Sequence, residues 1–413
     1  MSNSVCDLDI EWVTFLKRES PKILAALARQ CGDIELAEDT LQEALSQAWQ
    51  QWPEQGLPDK PGAWLLHVAR CRLLDHWRQL GRQQEGRQSL AVGEEGWRYD
   101  DDSEEDQRLA LIFCCCHPAL DETSQLALLL QLLGGLNYRE IARQLMLSDA
   151  VVQRRLSRAK LKIKQARIPL EIPGRELLFS RQGHIRSMIY LMFNHGVELQ
   201  ASQREALLQQ AIELLMLLRK EVDSPEAMGL QALIMAVLAR RVGEDDEQDI
   251  KSLSEQDRRL WDKKSIRQAD MLLQKALALK ELGPMQTQAA IQMLHSQAES
   301  WEETDWLQII YLYELLIRQQ ASPVPKLNQA MARFYSGEPT ENIWDAVAQL
   351  SDALKQHSGF YAARMQLLIA QGELEKAQQE YQCALACESA PRQRRLLERQ
   401  WAKALRADVK KES

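Results

Sequence analysis

Apolar residues recur through most of this chain three and four positions apart, the spacing that lines one face of an α-helix. Between Asp33 and Trp52, residues Ala37, Leu41, Ala44, Leu45, Ala48 and Trp49 form such a stripe, and Glu35, Glu38, Asp39, Gln42 and Glu43 lie opposite. Between Pro61 and Arg78 the apolar positions are Trp64, Leu65, Val68, Leu73 and Leu74, with Pro61 suited to a first helical turn. From 136 to 164 the pattern predicts two helices and a tight turn. Asn137 and Glu140 have capping-box spacing, and Ile141, Ala142 and Leu145 give the first helix its apolar face. Met146 and Leu147 make the turn, and Ser148 caps a second helix running to about Lys164. There Val152, Leu156, Ala159 and Ile163 make one stripe, while Arg154 and Arg158 stand one turn apart on the other side beside Arg155. No stretch alternates apolar and polar residues with period two, so the expected class is all-α.

Breaks in the pattern divide the chain. Residues 85–106 hold Gly86, Gly93 and Gly96, then the acidic run Asp100, Asp101, Asp102, Glu104, Glu105 and Asp106. Like charges that dense favour an extended, solvated chain. Ile168-Pro169 and Ile172-Pro173-Gly174 mark a second boundary. From Glu176 onward, amphipathic helices are interrupted at Gly243, Gly283-Pro284, Ser322-Pro323 and Gly337-Glu338-Pro339, which suggests helix pairs. One unit, Tyr361 to Leu385, half matches a tetratricopeptide repeat through Gly372, Ala377, Tyr381 and Ala384. A degenerate solenoid and an ordinary helical domain both fit. The expected organisation is therefore a helical domain over 1–84, a flexible acidic linker over 85–106, a helix-turn-helix domain over 107–167 and a larger helical domain over 168–413.

Charge changes this reading. The chain has 413 residues and a net charge of −8, whereas a stand-alone DNA binder is usually basic because phosphate neutralisation drives affinity. Basicity is local: residues 139–167 carry nine Arg or Lys against Glu140 and Asp149. DNA is then expected to be held weakly or together with a larger partner. Eight cysteines show no disulfide-framework spacing, the first residues lack the apolar core of a signal peptide, and no run approaches the length of a membrane span. A reduced, cytoplasmic chain without a membrane partner is expected. No nucleophile–base pair, glycine-rich phosphate loop or metal-ligand spacing is visible, so no enzyme activity, cofactor or metal is expected.

Five groups are candidates for chemistry. A short helix, a tight turn and a longer basic helix have the geometry that places a helix in a DNA major groove, with Gln153, Arg154, Arg155 and Arg158 facing it. Arg70, Arg72 and Arg78, interleaved with Trp64 and Trp77, suit single-stranded DNA, where bases stack on rings and cations hold the backbone. Core packing explains the two tryptophans equally well. The acidic side of the 33–52 helix is either simply solvated or a docking face for a basic helix. Cys114, Cys115 and Cys116 with His117 look like metal ligands, but adjacent positions on a helix diverge, and a packed core is expected. Asp257, Arg258, Trp261 and Asp262 form a site-like polar group that an ion pair tying down a loop would also explain.

The order of these groups resembles a bacterial RNA polymerase sigma factor of the extracytoplasmic-function class. Asp33…Ala37-Glu38-Asp39…Gln42-Glu43-Ala44 resembles that family's polymerase-binding helix. Trp64-Leu65…Ala69-Arg70…Asp75…Arg78 resembles its promoter −10 segment, with Cys71 where the family usually has Asn. Tyr138-Arg139-Glu140-Ile141-Ala142…Leu147-Ser148…Val152…Arg155-Leu156…Arg158-Ala159-Lys160 resembles its −35-reading helix-turn-helix, with Val151-Val152 where Thr-Val is usual. Cys115-Cys116-His117-Pro118, Ile189 to Gly196, Gly283-Pro284 and Thr304-Asp305-Trp306 resemble the subgroup in which a TPR-like helical domain follows the two sigma domains. The resemblance implies that Asp39, Gln42 and Glu43 bind core RNA polymerase. It implies that Trp64, Arg70, Arg72 and Arg78 hold the −10 element of promoter DNA, and that Gln153, Arg154, Arg155 and Arg158 read the −35 element. The C-terminal domain would modulate activity, in part through a regulatory protein. The alternative is a helix-turn-helix regulator controlled by a TPR-like interaction domain and never docked on polymerase.

Overall fold

A computed structural model describes residues 4–83, 101–171, 175–199, 201–241, 251–388 and 390–412. Among these residues the regular structure is helical, with no strand. The first helices are α1 (Ser4–Cys31), α2 (Ile34–Gln55), α3 (Pro61–Gln83), α4 (Asp101–Cys115), α5 (Glu122–Leu132), α6 (Tyr138–Gln144) and α7 (Asp149–Gln165). They are followed by α8 (Arg175–Glu198), α9 (Ala201–Glu221), α10 (Pro225–Ala239), α11 (Lys263–Ala278), α12 (Pro284–Gln297) and α13 (Trp306–Gln319). The last are α14 (Pro323–Tyr335), α15 (Thr340–Ala348), α16 (Ser351–Leu354), α17 (Ser358–Gln371), α18 (Leu374–Cys387) and α19 (Pro391–Glu412). None of the described helices is long and apolar enough to cross a membrane.

Local sequence explains where many helices start. Asp33, Asp121, Asn137, Ser224, Asp262 and Asp305 each accept a backbone N–H of the first turn that follows them. Those donors would otherwise have no partner in the helix. Helix α17 ends at Gly372, whose φ of +79° is a left-handed conformation that glycine adopts without cost.

The elements resolve into two compact units, Met1–Met192 with Glu205–Leu217, and Phe193–Arg204 with Leu218–Ser413. In the first, α2 and α3 pack together and on α1, α4 also lies on α1, and α5 and α6 pack against α7. The expected boundary at 168 falls inside this unit. Polar contacts show why: Arg181 of α8 donates to the Phe113 carbonyl at 2.7 Å, and Arg108 pairs with Glu213 of α9 at 3.5 Å. In the second unit, α10 packs on α11 and α12, α13 on α14, and α17 on α18. Ala377, Tyr381 and Ala384, the repeat-like positions, are buried on α18.

Three expectations are corrected. Residues 85–100 of the acidic linker lie outside the described residues, but Asp101 to Asp106 form the start of α4 rather than an extended chain. Acidic residues are favoured near a helix N-terminus, where the dipole is positive. On α2, Trp49 is 55 % exposed and Trp52 is 3 % exposed, because the stripe continues from Ala44 through Ala48 to 52 and leaves 49 outside it. Ser148 does occupy the cap position of α7, but only its carbonyl takes part; its side chain makes no cap bond.

Candidate nucleic-acid interface

The helix-turn-helix is built by reciprocal capping. The Asn137 side chain accepts from the backbone N–H of Arg139 at 3.0 Å and of Glu140 at 3.1 Å, and the Glu140 carboxylate accepts from the Asn137 N–H at 2.8 Å. Met146 takes a positive φ of 53° in the turn, and the Leu147 N–H returns to the Ala142 carbonyl at 2.8 Å. Helix α7 then buries Val152, Leu156, Ala159 and Ile163 and leaves Gln153, Arg154, Arg158 and Lys162 exposed.

These cations are not equivalent. Arg154 is exposed and donates from Nε to the Ala150 carbonyl of its own helix at 3.2 Å. Arg155 is half-buried and donates to Asp121 at 2.7 Å. Asp121 also caps α5, accepting from the Ser124 N–H at 3.0 Å and its hydroxyl at 2.7 Å. Burial pushes the Asp121 pKa upward, but the Ser124 bonds and the Arg155 charge together bring it below the ordinary carboxylate value. Arg154, Arg155, Arg158 and Lys162 line one concavity of about 320 Å³, together with Asp121 and Ser124. Lys162 was missed by the sequence argument, although its spacing of four from Arg158 could have found it. Its ammonium donates to the Ala119 carbonyl.

Helices α2 and α3 carry the second group. Asp39, Gln42 and Glu43 are all exposed along one side of α2. Arg72 reaches across from α3, 3.6 Å from Glu43 and donating to Gln47 at 2.9 Å. Arg78 is exposed and pairs with Asp75 at 3.2 Å. Arg70 is half-buried, and that desolvation lowers its pKa. Trp64 is half-buried and meets the buried Trp52 edge-on at 5.4 Å, so it serves the packing of α2 on α3 while keeping part of its ring in solvent.

Other groups singled out by the sequence are structural. Cys114, Cys115 and Cys116 are at most 2 % exposed. Burial raises the Cys114 and Cys116 thiols to about 12. Arg258, 6 % exposed, donates to the carbonyls of His295 at 3.0 Å and Ala298 at 2.8 Å and lies over the Trp261 ring. Asp262 caps α11, and Asp257 pairs with exposed Arg259 at 2.7 Å. His195 is buried within α8.

Family models match the chain where these elements lie. Sigma-70 region 2 matches residues 15–83, covering most of α1 together with α2 and α3, and Sigma-70, region 4 matches 111–163, which contains the helix-turn-helix. The chain belongs to the sigma-70 family. A family of unknown function, DUF6596, matches residues 181–277 of this sigma factor. An uncharacterized protein of Rhizobium meliloti (strain 1021) is 35 % identical over 396 residues, 92 % of each chain. No solved structure matches. The protein is thus a sigma-70 family sigma factor with a C-terminal extra helical domain, and its role is promoter recognition in transcription initiation. Its family is one of DNA-binding regulators rather than enzymes.

Proposed function

We propose that this sigma factor docks on core RNA polymerase through Asp39, Gln42 and Glu43 of α2 and directs it to promoters carrying both a −10 and a −35 element. The observation that carries this reading is an exposed acidic edge on α2, with Arg72 and Arg78 on the neighbouring α3 and a separate basic concavity on α7. Acidic side chains on a rigid helix suit a basic partner surface, where charge complementarity sets orientation and association rate. Arg70, Arg72 and Arg78 hold phosphates of the −10 strand, and Trp64 supports that surface with its half-exposed ring. Arg154 and Arg158 read or clamp the −35 major groove with Gln153, and Arg155 joins them once released from Asp121. The C-terminal domain modulates activity by engaging a regulatory protein. Pull-down of bacterial core polymerase by the full chain tests the docking step. Stable capture by the wild type and its loss in Asp39→Arg/Glu43→Arg supports the reading. Specific DNA binding without any polymerase capture would replace it with a self-contained regulator.

A further inference from the structure

Helix α7 and the start of α5 enclose a concavity of about 320 Å³ whose walls carry Arg154, Arg155, Arg158 and Lys162 against a single carboxylate, Asp121. Four cations against one carboxylate leave a net charge of +3 around one small volume. That volume lies at the lower end of small-molecule pockets, roughly 300–1,000 Å³. Among the described residues no aromatic side chain lines it.

The cations are satisfied only in part. Arg155 donates from Nη1 to Oδ1 of Asp121 at 2.7 Å, and its Nε is buried without a hydrogen-bond partner. Lys162 donates to the Ala119 carbonyl and Arg154 to the Ala150 carbonyl, both neutral acceptors. A charged donor on a neutral acceptor gains when an anion takes that acceptor's place, because bonds with both partners ionised are shorter and stronger. Asp121 is able to give up Arg155. It also accepts from the Ser124 N–H at 3.0 Å and the Ser124 hydroxyl at 2.7 Å, and both bonds stay when the guanidinium turns away. The cap of α5 thus survives the exchange, and Asp121 holds the guanidinium as a phosphate oxygen would.

Phosphate suits this set of donors. A guanidinium fork matches two phosphate oxygens, and an ammonium adds a point charge. One phosphodiester carries a single negative charge, whereas the excess charge of the concavity calls for linked phosphates. We propose that it is a binding site for a compact polyphosphate anion, pyrophosphate or the phosphate chain of a nucleotide, which takes Arg155 from Asp121 and excludes the −35 element while bound. Without an aromatic wall there is no platform for a base, so the phosphates alone are recognised. The inference rests on the proposed reading of the −35 groove by Arg154 and Arg158. The same side chains do not serve both ligands at once, so DNA binding by α7 falls as the anion accumulates.

Titration calorimetry of the full chain with inorganic pyrophosphate, at fixed ionic strength and without magnesium, tests the site in the absence of DNA. Pyrophosphate should saturate a single site per chain. Arg155→Ala and Lys162→Ala should each weaken it about tenfold, the scale of one hydrogen bond between charged groups, and Asp121→Asn should strengthen it. ADP should bind about as tightly as pyrophosphate, and adenosine should not bind. In fluorescence anisotropy, pyrophosphate should displace the −35 duplex from the wild type, and sodium sulfate at the same ionic strength should not. Binding that is unchanged in both alanine variants, or matched by sulfate, is diffuse attraction to a basic helix and overturns the site. ADP binding far more tightly than pyrophosphate overturns recognition by the phosphates alone. Saturable pyrophosphate binding that leaves the duplex in place overturns the exclusion. Duplex binding by a chain that takes up no pyrophosphate overturns the inference and leaves the −35 reading intact. Pyrophosphate uptake by a chain that binds no −35 duplex, free or with core polymerase, removes the −35 reading and the exclusion with it.

Discussion

His295 shows how much one side chain's surroundings can matter. It sits 5.4 Å from the Trp306 ring and 6.2 Å from Trp301, and burial, aided by the charges of Arg240 and Arg258, lowers its pKa to about 3. In the unfolded chain it titrates near 6.5. Its contribution to stability is therefore complete above 6.5 and is lost as pH falls toward 3, at up to about 1.4 kcal/mol per pH unit. Denaturation midpoints from pH 7 to 4 should fall more steeply for the wild type than for His295→Phe; equal slopes would refute the assignment. A second residue-scale prediction concerns the arginines. Arg154→Ala and Arg158→Ala should each weaken −35 duplex binding by about 1–3 kcal/mol in fluorescence anisotropy, the scale of a lost bidentate base contact. Arg155→Ala should cost less, because its guanidinium must first leave Asp121 to reach DNA. Asp121→Asn, which keeps an α5 cap and removes the charge, should tighten binding. The sequence pattern placed these three arginines on one helix, but the partner of Arg155 lies 34 positions away and could not be read from helical spacing.

At the scale of elements, short-range chemistry made the fold legible. The Asn137–Glu140 capping box, the turn at Met146-Leu147 and the buried stripe of α7 all stand where the periodicity put them, because each depends on residues within one or two turns. Asn137→Ala should lower stability by about 1 kcal/mol in urea denaturation. Adding Glu140→Ala should cost less than the sum of the two single changes, since both side chains close the same first turn of α6. The same local logic erred at Trp49, where the apolar stripe drifted with the 3.6-residue turn and made Trp52 the buried ring. It also erred at the acidic run, where repulsion was weighed without the preference of acidic residues for a helix start. The acidic side of α2 was legible. Its contact with α7 was not, because Lys160 and Lys164, spaced as part of a basic helix, give no local sign that each has a carboxylate of α2 or its cap beside it in space.

For the whole molecule, the decisive quantity is the contrast between a net charge of −8 and a basic helix that must meet DNA. Each phosphate neutralised by a lysine or arginine adds about 0.9 to the slope of log K against log salt. Of the α7 cations, Arg154, Arg158 and Lys162 are exposed and unencumbered by carboxylates in the described structure, whereas Arg155, Lys160 and Lys164 each begin in an ion pair. The free full-length chain should therefore bind a −35 duplex with a slope of about −3, a shallow dependence and a weak affinity. Replacing Glu38 and Asp33 with neutral residues should steepen the slope, because Lys160 and Lys164 then become available to phosphates. Anisotropy titrations across a series of salt concentrations measure both. A slope near −5 for the free chain would mean that the two lysines already face DNA, and the acidic bulk of the molecule would then be no obstacle to binding without polymerase.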